Sequence, residues 1–223
     1  MKNNIRGVLF DLDGTLFDTA PDLVLALNHV REQYALPPLP FTGVRPYAGR
    51  GSRSLLQLAF QISESHPDYP LLSEQFLQYY RNNISHSTRL FPGMEEVFSY
   101  LNSEGLPWGI VTNKPTDLTI ALLAALPLTS PPACVVCGDS LAKRKPHPEP
   151  IYHACQLLKL APTECVYIGD TEVDVIASNA AGTRTLVALY GYTTEAETPS
   201  AWAADGYVSE PIEIVHWLQK NNH

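Results

Sequence analysis

The chain has no long apolar run. Its longest, Ile120 to Leu126, stops at Pro127 and falls far short of the roughly 20 residues that cross a bilayer. The stretch Gly7-Val8-Leu9-Phe10 is cut by Asp11 and Asp13, so it is too short and too charged for the centre of a secretion signal. A soluble, cytoplasmic protein with no membrane partner is the expectation. Cations are also scarce: 15 Lys and Arg stand against 23 Asp and Glu, a net charge of −8. Such a surface repels nucleic acid and anionic lipid at long range. A small anionic substrate remains compatible if the few cations and some backbone N–H groups are gathered in one pocket.

Cysteine is sparse, with four in 223 residues, so no disulfide framework is implied. One pair, Cys134-Val135-Val136-Cys137, has the C-x-x-C spacing of zinc and redox sites. It lies in a short β-rich run, where residues three apart point to opposite faces and cannot share a metal. No second such pair exists, which favours four reduced cysteines in the core. Internal repeats and low-complexity tracts are absent too. What is present is 45% hydrophobic residues with 17% charged, enough for a packed core, over a length that fits one domain or one core carrying a smaller insert.

Apolar β-rich runs alternate with helical patterns through most of the chain. Strands are expected at Ile5–Phe10, Pro107–Thr112, Ala133–Cys137, Cys165–Ile168 and Thr185–Leu189, with a last one at Gly206–Val208. Met94, Val97, Phe98 and Leu101 form a one-faced helical repeat that ends at Gly105, and Ile151, Ala154, Cys155 and Leu158 form another. Strands apolar throughout and joined by helices predict a doubly wound, Rossmann-like α/β core around a parallel sheet. From about Thr19 to Thr88 the alternation fails. Only helical stretches occur there, at Pro21–Tyr34, Ser52–Gln61 and Pro70–Ser85, which predicts a four-helix insert over 17–88 interrupting a core of 1–16 and 89–223.

Polar residues gather where strands should end. The first strand delivers Asp11 and Asp13 with Gly14 to turn the chain, a pairing suited to a metal-assisted nucleophile and an acid/base partner. The second delivers Thr112 and Asn113, a hydroxyl and an amide near a helix start, as in a small phosphate cradle. Lys145 follows in a basic loop stiffened by Pro146 and Pro148, whose Lys143 and Arg144 read as solvated. The fourth delivers Asp170, with Asp174 one helical turn on. Carboxylates from two strand tips suit a hard cation such as Mg²⁺.

Taken together, Asp11-Leu12-Asp13-Gly14-Thr15, Thr112-Asn113, Lys145-Pro146 and Gly169-Asp170-x-x-x-Asp174 resemble the four ordered motifs of the haloacid dehalogenase-like hydrolase superfamily. The insert resembles that family's helical cap. Leu90-Phe91-Pro92-Gly93, Trp108 to Pro115 and Ala181 to Thr185 are similar to its phosphoglycolate phosphatase branch; these stretches and Tyr190-Gly191-Tyr192 also resemble N-acetylmuramic acid 6-phosphate phosphatases.

The resemblance implies an Mg²⁺-dependent phosphatase acting on a small phosphorylated metabolite. Asp11 is then the nucleophile that forms an aspartyl-phosphate, and Asp13 the acid and base. Mg²⁺ is held by the Asp11 carboxylate, the Asp13 backbone carbonyl and the Asp170 carboxylate, with Asp174 supporting them from behind. Thr112, Asn113 and Lys145 bind the phosphoryl oxygens. In the cap, Arg45, Arg50 and Arg53 surround Gly49 and Gly51, and Arg50, flanked by both glycines, is the expected substrate contact. A phosphomutase shares all the core motifs. A dehalogenase has no use for Asp13, and a non-catalytic binding module would not need the intact set. The default assembly is a monomer, or at most a weak dimer, and a cap on two short connections is expected to close over the site.

Overall fold

The computed structural model describes residues 4–222. The first three residues and the last one of the expected core segments therefore lie outside the described residues. Every expected strand is present within two residues of its expected ends: β1 (Gly7–Phe10), β4 (Trp108–Val111), β5 (Cys134–Val136), β6 (Cys165–Gly169), β7 (Arg184–Ala188) and β8 (Gly206–Val208). They form one sheet in the order β5-β4-β1-β6-β7-β8, and every neighbouring pair is parallel. The core helices are α5 (Met94–Ser103), α6 (Thr116–Ala125), α7 (Glu149–Leu158), α8 (Glu172–Ala181) and α9 (Ile212–Asn221).

Successive strand residues feed opposite faces. Val8 and Phe10 pack in one core with Met94, Val97, Phe98 and Leu101 of α5 and Ile214 and Leu218 of α9. Leu9 enters another, with Ile151, Ala154 and Cys155 of α7 and Ala177 and Ala181 of α8. The strands are buried on both faces, which explains their unbroken apolar character. All four cysteines are buried and free, as expected.

The helical insert comprises α1 (Ala20–Gln33), α2 (Phe41–Val44), a 3₁₀ segment (Arg45–Arg50), α3 (Gly51–Phe60) and α4 (Tyr69–Asn82). The fourth helix is thus the four-residue α2, and α4 stops three residues before its expected end at Ser85. Too short to be expected from sequence are β2 (Phe17–Asp18) and β3 (Arg89–Leu90), an antiparallel ribbon where the chain leaves and re-enters the core. Beside it the buried carboxylate of Asp22 on α1 accepts hydrogen bonds from the backbone N–H groups of Ser87 and Thr88 and from the Thr88 hydroxyl at 2.7 Å. A fully buried Asp must be satisfied in this way, and the pairing fixes the re-entry point.

Because β4 and β6 flank β1 and the chain proceeds outward from it in both directions, the sheet has a switch point at β1. The crevice beyond its carboxyl end is where parallel sheets place their ligands.

Candidate active site

Three strand tips converge at that crevice. Asp11 follows β1 and its backbone N–H donates to Ile168 O at 2.8 Å, which ties the tip of β1 to that of β6. Thr112 follows β4, and Asp170 follows β6. The carboxylates of Asp11, Asp170 and Asp174 offer oxygens that all lie within 4.8 Å of one another, and all three residues are buried. Lys145, only 3% exposed, enters from its loop. Its Nζ lies 3.0 Å from Asp11 Oδ1 and 2.7 Å from Asp174 Oδ1, and donates also to Val111 O at 2.9 Å and to the Tyr167 hydroxyl at 2.7 Å. The Lys145–Pro146 peptide is cis.

Asp174 is saturated. Its Oδ1 accepts from Lys145, with the Tyr167 hydroxyl 3.0 Å away, while Oδ2 accepts from the Thr171 backbone N–H at 3.0 Å and the Thr171 hydroxyl at 2.6 Å. It caps α8 and anchors Lys145. Asp170 accepts one donor on each oxygen: the Thr15 hydroxyl at 3.2 Å and the Tyr192 backbone N–H at 2.8 Å. The chain crowds this residue so closely that a Cβ on Gly14 would come 2.2 Å from Asp170 Oδ2, and one on Gly191 would come 2.3 Å from its Cβ. Gly14 also has φ +85°, a conformation that favours glycine, so it is required both by its turn and by its neighbour.

Three buried carboxylates facing one ammonium carry surplus negative charge. Burial, opposed by Lys145 but reinforced by Asp174 and Asp13, pushes the Asp11 carboxyl up to about 6. Burial, with Asp174 and Asp11 adding to it, pushes Asp170 well above the carboxylate range. Burial alone would lower Lys145, but the two aspartates outweigh it and hold the ammonium charged. Asp11 Oδ1, though close to Lys145, is buried without an aligned hydrogen-bond donor. An orphaned carboxylate oxygen, hard oxygen donors and uncompensated charge all fit a small divalent cation.

On the other side of the crevice, Asp13 is half-buried and its carboxylate faces Lys114, with Nζ at 3.0 Å from Oδ1 and 3.3 Å from Oδ2. Lys114 Nζ also donates to the Tyr80 hydroxyl of α4 at 2.8 Å. The hydroxyl oxygen of Thr112 accepts from the Lys114 backbone N–H at 3.2 Å, which shapes the loop. Asn113 turns its side-chain N–H₂ to Lys145 O at 2.9 Å and holds the lysine loop. Arg50 follows Gly49, where a Cβ would lie 3.5 Å from Asp170 Oδ2, and pairs with Glu197 at 2.7 Å and Thr194 at 3.2 Å, while Arg45 donates to Gly191 O at 3.1 Å. Arg53 pairs with Glu64 at the exposed surface. Lys143 and Arg144 are solvated.

The structure therefore gathers Asp11, Lys145, Asp170 and Asp174 at one point, places Thr112 at the neighbouring tip of β4 and Asp13 against Lys114, gives Asn113 a partner in the Lys145 loop, and pairs Arg50 with Glu197. Tyr80 and Tyr167 carry no expectation from sequence, and Lys114 and Tyr192 enter there only inside stretches of family resemblance, without a role. Tyr167 carried a usable signal: a lone phenol in the fully buried run Cys165-Val166-Tyr167-Ile168 has to find a polar partner.

The profile of the haloacid dehalogenase-like hydrolases matches residues 8–188. The chain belongs to that family. It is 39% identical over 209 residues to a phosphoglycolate phosphatase of Xanthomonas campestris pv. campestris, covering 94% of each chain. To an N-acetylmuramic acid 6-phosphate phosphatase of Pseudomonas aeruginosa it is 34% identical over 219 residues, covering 98% of this chain and 97% of that one. The crystal structure of a predicted phosphoglycolate phosphatase from Haemophilus somnus 129PT superposes with a TM-score of 0.85 at 28% identity, over 96% of this chain and 97% of that one. As a haloacid dehalogenase-like hydrolase the protein is an enzyme, and its sheet and flanking helices are the family's architecture. Among the described residues no helix is long and apolar enough to cross a membrane.

Proposed function

We propose that this hydrolase is an Mg²⁺-dependent phosphatase of small phosphomonoesters, with 2-phosphoglycolate as its substrate. The observation that carries the reading is the buried Asp11 carboxylate, sharing one ammonium with Asp174 and standing beside Asp170 at adjoining strand tips. The Asp11 and Asp170 carboxylates and the Asp13 backbone carbonyl would hold Mg²⁺, which would supply positive charge to the phosphoryl oxygens. Asp11 attacks phosphorus, the bond from phosphorus to the ester oxygen breaks, and an aspartyl-phosphate forms. Asp13 gives its proton to the departing oxygen. It then takes a proton from the water that attacks the aspartyl-phosphate, which frees inorganic phosphate and restores both aspartates. The Thr112 hydroxyl and the Asn113 backbone N–H cradle the phosphoryl oxygens. Lys145 neutralises Asp11 and adds its charge to that cradle, and Asp174 holds Lys145 from behind.

Residues 17–88 act as a cap on the core of 1–16 and 89–223, and its two connections let it close and exclude water. Arg50 spends Nη2 on Glu197 and Thr194, and its other N–H groups are what the cap offers to the substrate's distal oxygens. The protein works in the cytoplasm as a monomer, and nucleic acid is not a partner. The match along nearly the whole chain to an N-acetylmuramic acid 6-phosphate phosphatase supports that ester as the second reading. The test is phosphate release with Mg²⁺ from 2-phosphoglycolate, N-acetylmuramic acid 6-phosphate and common sugar phosphates, with EDTA and Asp11→Asn controls. Preference for 2-phosphoglycolate supports the first reading, and preference for the amino-sugar ester replaces it with the second. Equal failure of wild type and Asp11→Asn on every ester refutes both.

A further inference from the structure

Lys114 is a buried cation outside the Asp11–Asp170–Lys145 cluster, with its side chain only 5% exposed. It stands directly after the Thr112-Asn113 pair at the tip of β4, and among the described residues every polar contact of its Nζ is with one of two residues. One is the carboxylate of Asp13, at 3.0 and 3.3 Å. The other is the hydroxyl of Tyr80, at 2.8 Å. Tyr80 belongs to the cap helix α4, is fully buried, and stacks parallel to Phe76 one turn away. The single ammonium of a core lysine is thus bonded both to the cap and to the Asp13 side chain.

We infer that Lys114, held by Tyr80, is the positioning residue that aims the Asp13 carboxyl at the departing oxygen, so that docking of α4 completes the acid/base machinery. The inference rests on the acid/base reading of Asp13 given above. Lysine suits the task because its three donors let it bond the carbonyl oxygen of a carboxylic acid and, more strongly, a carboxylate. One Asp13 oxygen therefore keeps the Lys114 contact throughout, while the other carries the proton and turns to the substrate. Lys114 itself exchanges no proton. An Asp on a turn after Leu12, without this tether, would lose the orientation that proton transfer requires.

A lysine that merely glued cap to core would affect all substrates alike, whereas one that positions a general acid matters most where the leaving group is poor. The experiment compares kcat/KM for phenyl phosphate and p-nitrophenyl phosphate, a poorer and a better leaving group, in the intact protein with Mg²⁺. These esters are used so that the result does not depend on the natural substrate. Because kcat/KM covers only the steps through release of the alcohol, hydrolysis of the aspartyl-phosphate does not obscure it. Lys114→Met is expected to lose about tenfold more on phenyl phosphate than on p-nitrophenyl phosphate, and Tyr80→Phe, which keeps the buried ring, about threefold more. Asp13→Asn should show the same asymmetry. Equal losses on both esters in Lys114→Met and Tyr80→Phe, with the asymmetry intact in Asp13→Asn, overturn the positioning role and leave the acid/base reading standing. If Asp13→Asn loses equally on both esters, both fall. Should Lys114→Met fail to fold, Tyr80→Phe decides alone, and a symmetric or absent loss in it overturns the inference.

Discussion

The two sides of the crevice are built by different rules. The side around Asp11, Asp170 and Asp174 comes wholly from the core, is buried, and has most of its polar atoms paired at least once. Lys145, Tyr167, Thr171, Thr15 and Tyr192 all converge on it. The side around Asp13 is assembled from two parts of the chain, with Lys114 from the core and Tyr80 from the insert, and its rim is closed by the partly exposed Arg50–Glu197 pair. The contrast teaches that charge on the core side is held by redundant contacts within one unit, whereas on the other side it depends on one lysine shared between core and insert.

Four outcomes sharpen or break that contrast. The largest concerns Asp11, proposed above as the nucleophile: Asp11→Asn is expected to lower kcat by at least ~10³-fold, measured as Mg²⁺-dependent phosphate release, and to leave the metal-free protein as stable as before or more so, because a buried charge is removed. Next, Lys145→Met should lower kcat by about 10²-fold. By leaving Asp11 and Asp174 uncompensated, it should destabilise the metal-free protein by about 3–5 kcal/mol in denaturant titration. A Lys145→Met protein as stable as wild type would show that the redundancy is only apparent.

A third outcome follows from the raised carboxyls. Folded Asp11 titrates at about 6 against 3.8 when free, so between those values the folded state keeps a proton that the unfolded state has released. Stability of the metal-free protein must then fall as pH rises from about 4 to about 6. Asp170 is shifted in the same direction. Thermal melts across this range should show the decline, and Mg²⁺ at neutral pH should reverse it by stabilising the ionised pair. The smallest effect is at the rim. Removing the Arg50–Glu197 pair should cost less than ~1 kcal/mol, as exposed pairs do. If the pair restrains the cap, Glu197→Ala should shift KM in the same direction as Arg50→Ala. If Arg50 acts only on substrate, the two should move KM oppositely.

What could be read in the sequence divides along the same line. The strand tips were legible because buried parallel strands are written as unbroken apolar runs, so a carboxylate at Asp11 or Asp170 stands out at the end of one. Asp174 was legible by its helical spacing from Asp170. Lys114 was not, because a lysine beside Thr112-Asn113 reads as surface until α4 is folded over it. Glu197 lies far along the chain from Arg50, in a stretch between β7 and β8 with no periodic pattern. The donor that Tyr192 gives Asp170 is a backbone N–H, which no side chain advertises. The β2–β3 ribbon, two residues a side, is shorter than any pattern can resolve.

That ribbon has a consequence for how such a protein can be remade. The first residues of the insert are paired with the first residues of the returning core, Phe17 beside Leu90 and Asp18 beside Arg89. From the core's standpoint it is a loop already closed at its neck. Loop-closure entropy grows only logarithmically, by about 0.6 kcal/mol for each doubling of length. The helices between the two ends could therefore be lengthened, shortened or exchanged for another set with little penalty from chain closure, provided the new set refills the apolar contacts that the insert makes with the core. Exchange would have to replace the Asp22 bonds to Ser87 and Thr88, the Ala20–Tyr192 bond, Tyr80 and the arginine contacts, and with those restored one hydrolytic engine could be refitted for different esters.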